Sequence, residues 1–333
     1  MRNIVISLVS CLLIACSTAK PKSFYITDED FKESIKLHRS ASIDVFGKVK
    51  KCYAVDSLIL ISLSQNDSIF SLYNANSLSK IKSWGNIGRA GNEYLHPSII
   101  KYDDAHFAIW GKTHKRMEIY NVHNISDMCL MEAEEVNDMA NLVFHAGDNI
   151  FVYERLRPRE ISLFRWRLGE APSLLATLKE YDDLYQNSEV YSGFLEADES
   201  KNRVIYAFQF MDGFDLFDMN GSLLKKVRRK NSSAPSLNNN GGIDGFTSNT
   251  YCFDLRKGKD SFFLYRVGFS GTEWIENMER VTYIEEYDWD GNPLRRYELP
   301  MIISGFDCIQ DGRFVIQDNA SEDAILQIFT IGN

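Results

Sequence analysis

The 333-residue sequence has no Cys-x-x-Cys pair, no Gly-x-Ser-x-Gly and no His-x-x-x-His. Beyond the N-terminus its cysteines are Cys52, Cys129, Cys252 and Cys308, each far from the next. That spacing excludes a zinc knuckle or a thioredoxin-like centre. Each sits among strand-like apolar residues and reads as a small buried hydrophobe, although an exported compartment would permit one bridge. All six histidines fall in the first half, with no acid-containing helical pair of the zinc-protease kind. Gly268-Phe269-Ser270-Gly271 is one residue short of a nucleophile elbow, so a hydrolase of that type is rejected. Positive charge is in deficit: the formal net charge is -9. A nucleic-acid binder needs clustered cations, so no nucleic-acid partner is expected. Helical periodicity is nearly absent; only residues 28–37 could make an amphipathic turn or two.

After its first residues the chain also lacks any apolar run of the ~20 residues a spanning helix needs. The N-terminus itself is different. Met1-Arg2-Asn3 leads into an apolar stretch over residues 4–14, the length of a secretory h-region. Leu13-Ile14-Ala15-Cys16 then resembles a bacterial lipobox. Residues 1–15 read as a lipoprotein signal and Cys16 as the lipidation site, with palmitate-type acyl chains as the membrane anchor. An ordinary signal peptide or a buried N-terminal strand is the alternative. Residues 16–40 read as tether and lead-in. Ser17-Thr18-Ala19-Lys20 carries no acid, which favours the periplasmic face of the outer membrane over the cell surface.

From residue 41 to 333 the pattern is all-β. Short apolar runs recur, as in Ser57-Leu58-Ile59-Leu60-Ile61-Ser62 and Arg203-Val204-Ile205-Tyr206-Ala207-Phe208. Most are followed, about ten to twenty-five residues later, by a second strand ending in an aromatic residue and a polar turn. Phe217-Asp218-Met219-Asn220-Gly221 and Tyr287-Asp288-Trp289-Asp290-Gly291 are the clearest turns. Asn, Asp and Gly tolerate the positive φ of tight hairpins. About six such units, roughly 40 to 55 residues each, read as propeller blades; two β-sandwiches are the competitor. The last unit is one strand short. A strand near residues 42–46 is therefore expected to close the ring against residues 325–331.

One stretch carries a family likeness. Trp84-Gly85-Asn86-Ile87-Gly88-Arg89-Ala90-Gly91-Asn92-Glu93-Tyr94 follows the first unit. With the blade pattern and the lipobox, it resembles the six-bladed propeller lipoproteins of the TolB-like or NHL-like type. In these a Gly-rich turn joins the first blade to the second. Gly85, Gly88, Arg89, Glu93 and Tyr94 match it, while Ala90, Gly91 and Asn92 replace its usual Gly-Pro-Gly. The resemblance implies a fold and a structural turn, and is silent on chemistry.

The remaining candidates are few. A phosphate cradle at residues 85–91 would need a following helix, which Tyr94-Leu95-His96-Pro97 does not open. A calcium loop starting at Asp288 would end on Leu299, where a carboxylate is required. Asp104 and His106 would share one strand face as a ligand-binding pair. Lys225-Lys226-Val227-Arg228-Arg229-Lys230 reads as an outer strand guarding its edge. Trp274 is the candidate for an exposed sugar-stacking ring. No catalytic residue, metal or cofactor is assigned. The expected role is a binding or scaffolding module for a glycan, peptide or envelope protein. The alternative is a glycan lyase or hydrolase using carboxylates near the axis.

Overall fold

The structure, a computed structural model, describes residues 23–331 other than 46, 65–67, 89, 91–92, 96, 112–114, 126–127, 133–139, 158–159, 179–187, 277–279, 310 and 319–323. Cys16 and Arg89 lie outside the described residues. Two strands open the chain, β1 (Ser23–Ile26) and β2 (Glu33–Val45). A first antiparallel meander follows: β3 (Val49–Val55), β4 (Leu58–Leu63), β5 (Phe70–Asn74) and β6 (Lys80–Trp84). The short β7 (Asn86–Ile87) and β8 (Glu93–Tyr94) pair parallel within the next turn. Next come β9 (Ser98–Lys101), β10 (His106–Gly111), β11 (Arg116–Asn121) and β12 (Met128–Glu132). A third meander is β13 (Ala140–Gly147), β14 (Ile150–Arg157), β15 (Glu160–Arg167) and β16 (Ser173–Leu178). It is followed by β17 (Gly193–Asp198), β18 (Arg203–Phe208), β19 (Gly213–Phe217) and β20 (Leu223–Arg229). Then β21 (Asn249–Lys257), β22 (Ser261–Ser270), helix α1 (Gly271–Glu276), β23 (Thr282–Asp288) and β24 (Pro293–Leu299) lead to β25 (Gly305–Cys308), β26 (Phe314–Asp318) and β27 (Ala324–Ile331).

The result is an all-β, propeller-like arrangement, with a blade count that differs from expectation. Four separate sheets of four or five strands form, not six. The reason is β2. Its first half pairs parallel with β24, and its second half pairs antiparallel with β27. It thereby joins β21–β24 and β25–β27 into one eight-stranded sheet. Residues 28–37 are likewise not an amphipathic helix: Asp28–Asp30 is a single 3-10 turn, and Glu33 already begins β2. Long-range pairing overrides the weak local signal there.

The predicted turns have the expected chemistry. The Asp218 carboxylate accepts the backbone N–H groups of Asn220 and Ser222 at 2.9 and 2.8 Å, and Gly221 follows at φ +87°. Asp288 repeats this with Asp290 and Asn292 at 3.0 and 2.8 Å, so its carboxylate serves a hairpin. The first strand of each meander lies beside the first strand of the next, and β25 lies beside β3. Apolar side chains fill the spaces between successive sheets. Trp110 packs on Trp166 between the second and third meanders, both essentially buried. Val315, Leu326 and Ile328 meet Ala54, Ile59 and Ile61 between the last strands and the first.

Strand β20 does not guard a free edge. β1 pairs parallel along it, Ser23 opposite Lys226 through Ile26 opposite Arg229. Its last two cations are buried in ion pairs: Arg228 with Asp215 at 2.7 Å, and Arg229 with Glu285 and Asp28. Of the basic run, Arg228 and Arg229 are therefore internal structure, while Lys230 is exposed.

Candidate functional site

The innermost strands carry an unusual density of charge. Lys51 comes from β3, Lys101 from β9, Glu196 and Asp198 from β17, Asp254, Arg256 and Lys257 from β21, and Asp307 from β25. Several interrupt apolar runs, as in Phe253-Asp254-Leu255-Arg256 and Phe306-Asp307-Cys308. Successive side chains of an inner strand point to opposite faces of its sheet, and each face meets a neighbouring sheet. Buried charge there must be paired or hydrogen-bonded.

Asp254 and Asp307, both fully buried, meet that demand in the same way. Each accepts the backbone N–H of its own successor, Leu255 at 3.1 Å and Cys308 at 2.8 Å. Each also accepts an N–H from the neighbouring inner strand: Phe306 at 3.3 Å for Asp254, and Ala54 at 2.8 Å for Asp307. Each then meets a lysine, Lys51 at 3.7 Å and Lys101 at 3.9 Å. Arg256 lies 2.7 Å from Asp254, donates from Nε to the Phe306 carbonyl at 2.7 Å, and covers the Tyr53 ring at 4.8 Å. These acids staple adjacent inner strands together. Freeing a carboxylate for proton transfer would leave buried N–H groups unsatisfied, at about 1–3 kcal/mol each.

Glu196 differs. It is 6% exposed and, among the described residues, its carboxylate has no hydrogen bond or ion pair. Burial pushes its pKa up to about 7, against the pull of Arg256, Lys257 and Lys101. Nearby Asp198 is held below the usual carboxylate range: the Ser200 hydroxyl at 2.6 Å and Lys257 at 3.1 Å outweigh its burial. Among the described residues no three His, Cys, Asp or Glu side chains group as metal ligands would.

The sequence-derived candidates do not converge on this cluster. Strand β10 starts at His106, so Asp104 lies in the preceding turn and shares no strand face with it. It is Asp103 that holds His106, 2.9 Å from Nδ1, while also accepting the Ala105 N–H at 2.7 Å. Trp274 sits on α1 and is half-buried, edge-on to Phe253 and Phe269 at 5.8 and 6.5 Å, so packing claims much of its ring. The Gly-rich turn is structural. Gly85 adopts φ +78° beside Phe70, and a Cβ at Gly88 would fall 1.8 Å from the Glu93 carboxylate. Glu93 accepts the Ala90 N–H at 2.9 Å, and the buried Tyr94 hydroxyl donates to Glu118. Cys52, Cys129, Cys252 and Cys308 are all free thiols, although the strands bearing Cys52 and Cys308 adjoin. Sequence reasoning passed over the inner-strand charges; the available signal was a charged residue inside an otherwise apolar first strand of a unit.

No family model matches the chain, and no curated protein matches it. Among solved structures it is similar to a member of the DUF4221 family from Bacteroides vulgatus ATCC 8482, at 12% identity and TM-score 0.59, covering 90% of this chain and 99% of that one. It is also similar to a protein from Bacteroides fragilis NCTC 9343 named as exported, at 13% identity and TM-score 0.52, with 90% and 99% coverage. At such identities the likeness shows the fold alone: this chain has the propeller-like fold of those proteins.

Proposed function

We propose that the chain is an exported, lipid-anchored six-bladed propeller that serves as a binding or scaffolding module in the cell envelope. The observation that carries the binding reading is the commitment of Asp254 and Asp307 to neighbouring strands, so that these two acids are not a free pair for glycoside chemistry. Six blades follow if the eight-stranded sheet is two blades sharing β2, which also closes the ring by pairing Ile43 with Leu326. The six apolar clusters, each between successive meanders, support that count. Export and anchoring rest on the Leu13-Ile14-Ala15-Cys16 segment, together with the exported name of the B. fragilis protein. The domain plan is a signal over 1–15 and a tether that ends before Ser23, on the periplasmic face of the outer membrane. The expected tether over 16–40 is too long, because β1 and β2 pair within the sheets and belong to the propeller.

Two measurements test this. Labelled palmitate should enter the wild type and not Cys16→Ser; equal labelling would remove the anchor. Electrophoresis through gels containing envelope polysaccharides, or envelope proteins coupled to the matrix, should retard the mature chain with no new reducing ends. The rival reading, a glycan lyase or hydrolase, has one favourable observation in the unpartnered Glu196 carboxylate. Release of reducing or unsaturated ends by the wild type, abolished in Glu196→Gln, would establish that rival.

A further inference from the structure

We propose that the groove between the N-terminal segment and strands β20 and β21 binds a neutral, hydroxyl-rich saccharide. This deepens the binding-module reading and rests on it. The groove is open to solvent, with a volume of about 560 Å³. That lies within the ~300–1,000 Å³ of small-molecule sites. One wall is the segment from Ile26 to Glu29; the other is formed by Asp212, the end of β20 with the loop after it, the start of β21 and the last part of β22.

The lining chemistry selects the ligand. Ile26 is the one aliphatic side chain and is itself buried, so an apolar ligand gains little here. Three acids, Asp28, Glu29 and Asp212, face three bases, Arg229, Lys230 and Arg266, so formal charge cancels. An anion would meet Asp28 and Glu29; a cation would meet Lys230 and Arg266. Serine, asparagine and tyrosine complete the surface, with Ser232 and Asn249 among them. A ligand hydroxyl both donates and accepts, which suits such a mixed set without desolvating a net charge.

Part of this set is free to bind. Arg229 is held by Glu285, Asp28 and Asp212, and so forms the floor. Arg266 grips Asp212 through Nε and Nη2 at 3.1 and 2.7 Å, which leaves Nη1 without a hydrogen bond among the described residues. Gly268 flanks that nitrogen, and a Cβ there would stand 3.1 Å from it. The Lys230 ammonium is exposed and has no partner among the described residues. Among the described residues the Asn249 amide reaches only the Tyr251 hydroxyl, at 3.5 Å.

The test is calorimetric titration of the mature full chain with maltotriose, cellotriose and triacetylchitotriose, with trigalacturonate as the charged comparison. At least one neutral trisaccharide should bind with a Kd below ~1 mM, more tightly than trigalacturonate. Lys230→Ala and Asn249→Ala lie outside the buried ion-pair network. Each should weaken that binding at least tenfold with the melting temperature unchanged, while Asp104→Ala should leave it intact. Absence of neutral-trisaccharide binding, preference for trigalacturonate, or unaltered affinity in both groove variants would overturn the assignment. If the Lys230→Ala/Asn249→Ala double variant is still retarded in the polysaccharide gels, the groove is wrong and the binding-module reading stands; if the wild type is not retarded either, that reading has failed.

Discussion

The second meander, β9–β12, and the eight-stranded sheet are built from the same antiparallel unit but held together differently. In β9–β12 every neighbour is consecutive in sequence, and the flanking spaces are filled by Trp110, Phe107, Phe151 and Trp166. In the eight-stranded sheet the central strand comes from the opposite end of the chain. Ser40 donates to the Ile328 carbonyl across 288 residues, and Lys32 bonds to Leu294. Around β2 and β24 the buried Arg229, Arg296 and Glu285 form an ion-pair network with the exposed Asp28. Local meanders form from neighbouring residues. The junction must bring distant segments together, which costs loop entropy before its contacts form. The difference teaches that the N-terminal segment is an integral strand of the fold, and that the junction is where the fold is most easily undone.

The largest effect should come from removing that strand. Deleting residues 17–46 takes away β1 and β2 and leaves the β24 and β27 edges unpaired. A melting temperature lower by roughly 10 °C or more, or a shift to aggregates on size exclusion, is expected. A full-length melt retained by the truncated chain would contradict the proposed closing role of β2.

A smaller loss should follow from cutting one axial staple. Asp307→Ala strands the Ala54 and Cys308 N–H groups and leaves Lys101 without its acid. Denaturant titration should show a loss of about 2–4 kcal/mol, with Asp307→Asn recovering part of it. An alanine variant as stable as wild type would mean that solvent replaces the carboxylate.

Glu196 sharpens the contrast between axis and blades through pH. Its pKa rises from 4.5 to about 7 on folding. Between those values the native state holds the proton and the unfolded state does not, so stability falls with rising pH. It is complete below about 4.5 and the loss is complete above about 7. Glu196→Gln keeps the neutral shape, so its stability should exceed wild type increasingly across this window, by up to ~3 kcal/mol. Parallel pH profiles for the two proteins would refute the assignment.

The smallest effect concerns thiols. Burial pushes Cys52 up to about 12 and raises Cys252 and Cys308 well above the usual thiol value, whereas Cys129 is exposed on β12. In the native protein without its N-terminal lipid segment, a maleimide should label Cys129 within minutes, the half-buried Cys308 more slowly, and Cys52 and Cys252 only after denaturation. Fast labelling of Cys52 would mean that the space between the last and first sheets opens readily.

Much of this molecule follows from residue order alone. Short continuous apolar runs marked strands such as Leu58–Leu63 and Phe314–Asp318, because a strand packed between two sheets is buried on both faces. Asp218 and Asp288 announced their hairpins, because an Asx carboxylate caps the turn it begins, whatever surrounds it. Glu93 and Tyr94 marked a turn only through the family resemblance; there Glu93 accepts the Ala90 N–H. Pairing partners at long range were decided by tertiary structure. Nothing in Lys225–Lys230 reveals that β1 covers it, since an edge strand and a covered one carry the same backbone groups. Nothing near Asp103 reveals that it, and not Asp104, takes His106; the strand start set by pairing with Asn121 decides that. The convergence of Lys51, Lys101, Glu196, Asp254, Arg256 and Asp307 is likewise a product of the ring. Their strands lie far apart in sequence, and side-chain chemistry carries no address for a partner that only sheet stacking brings near.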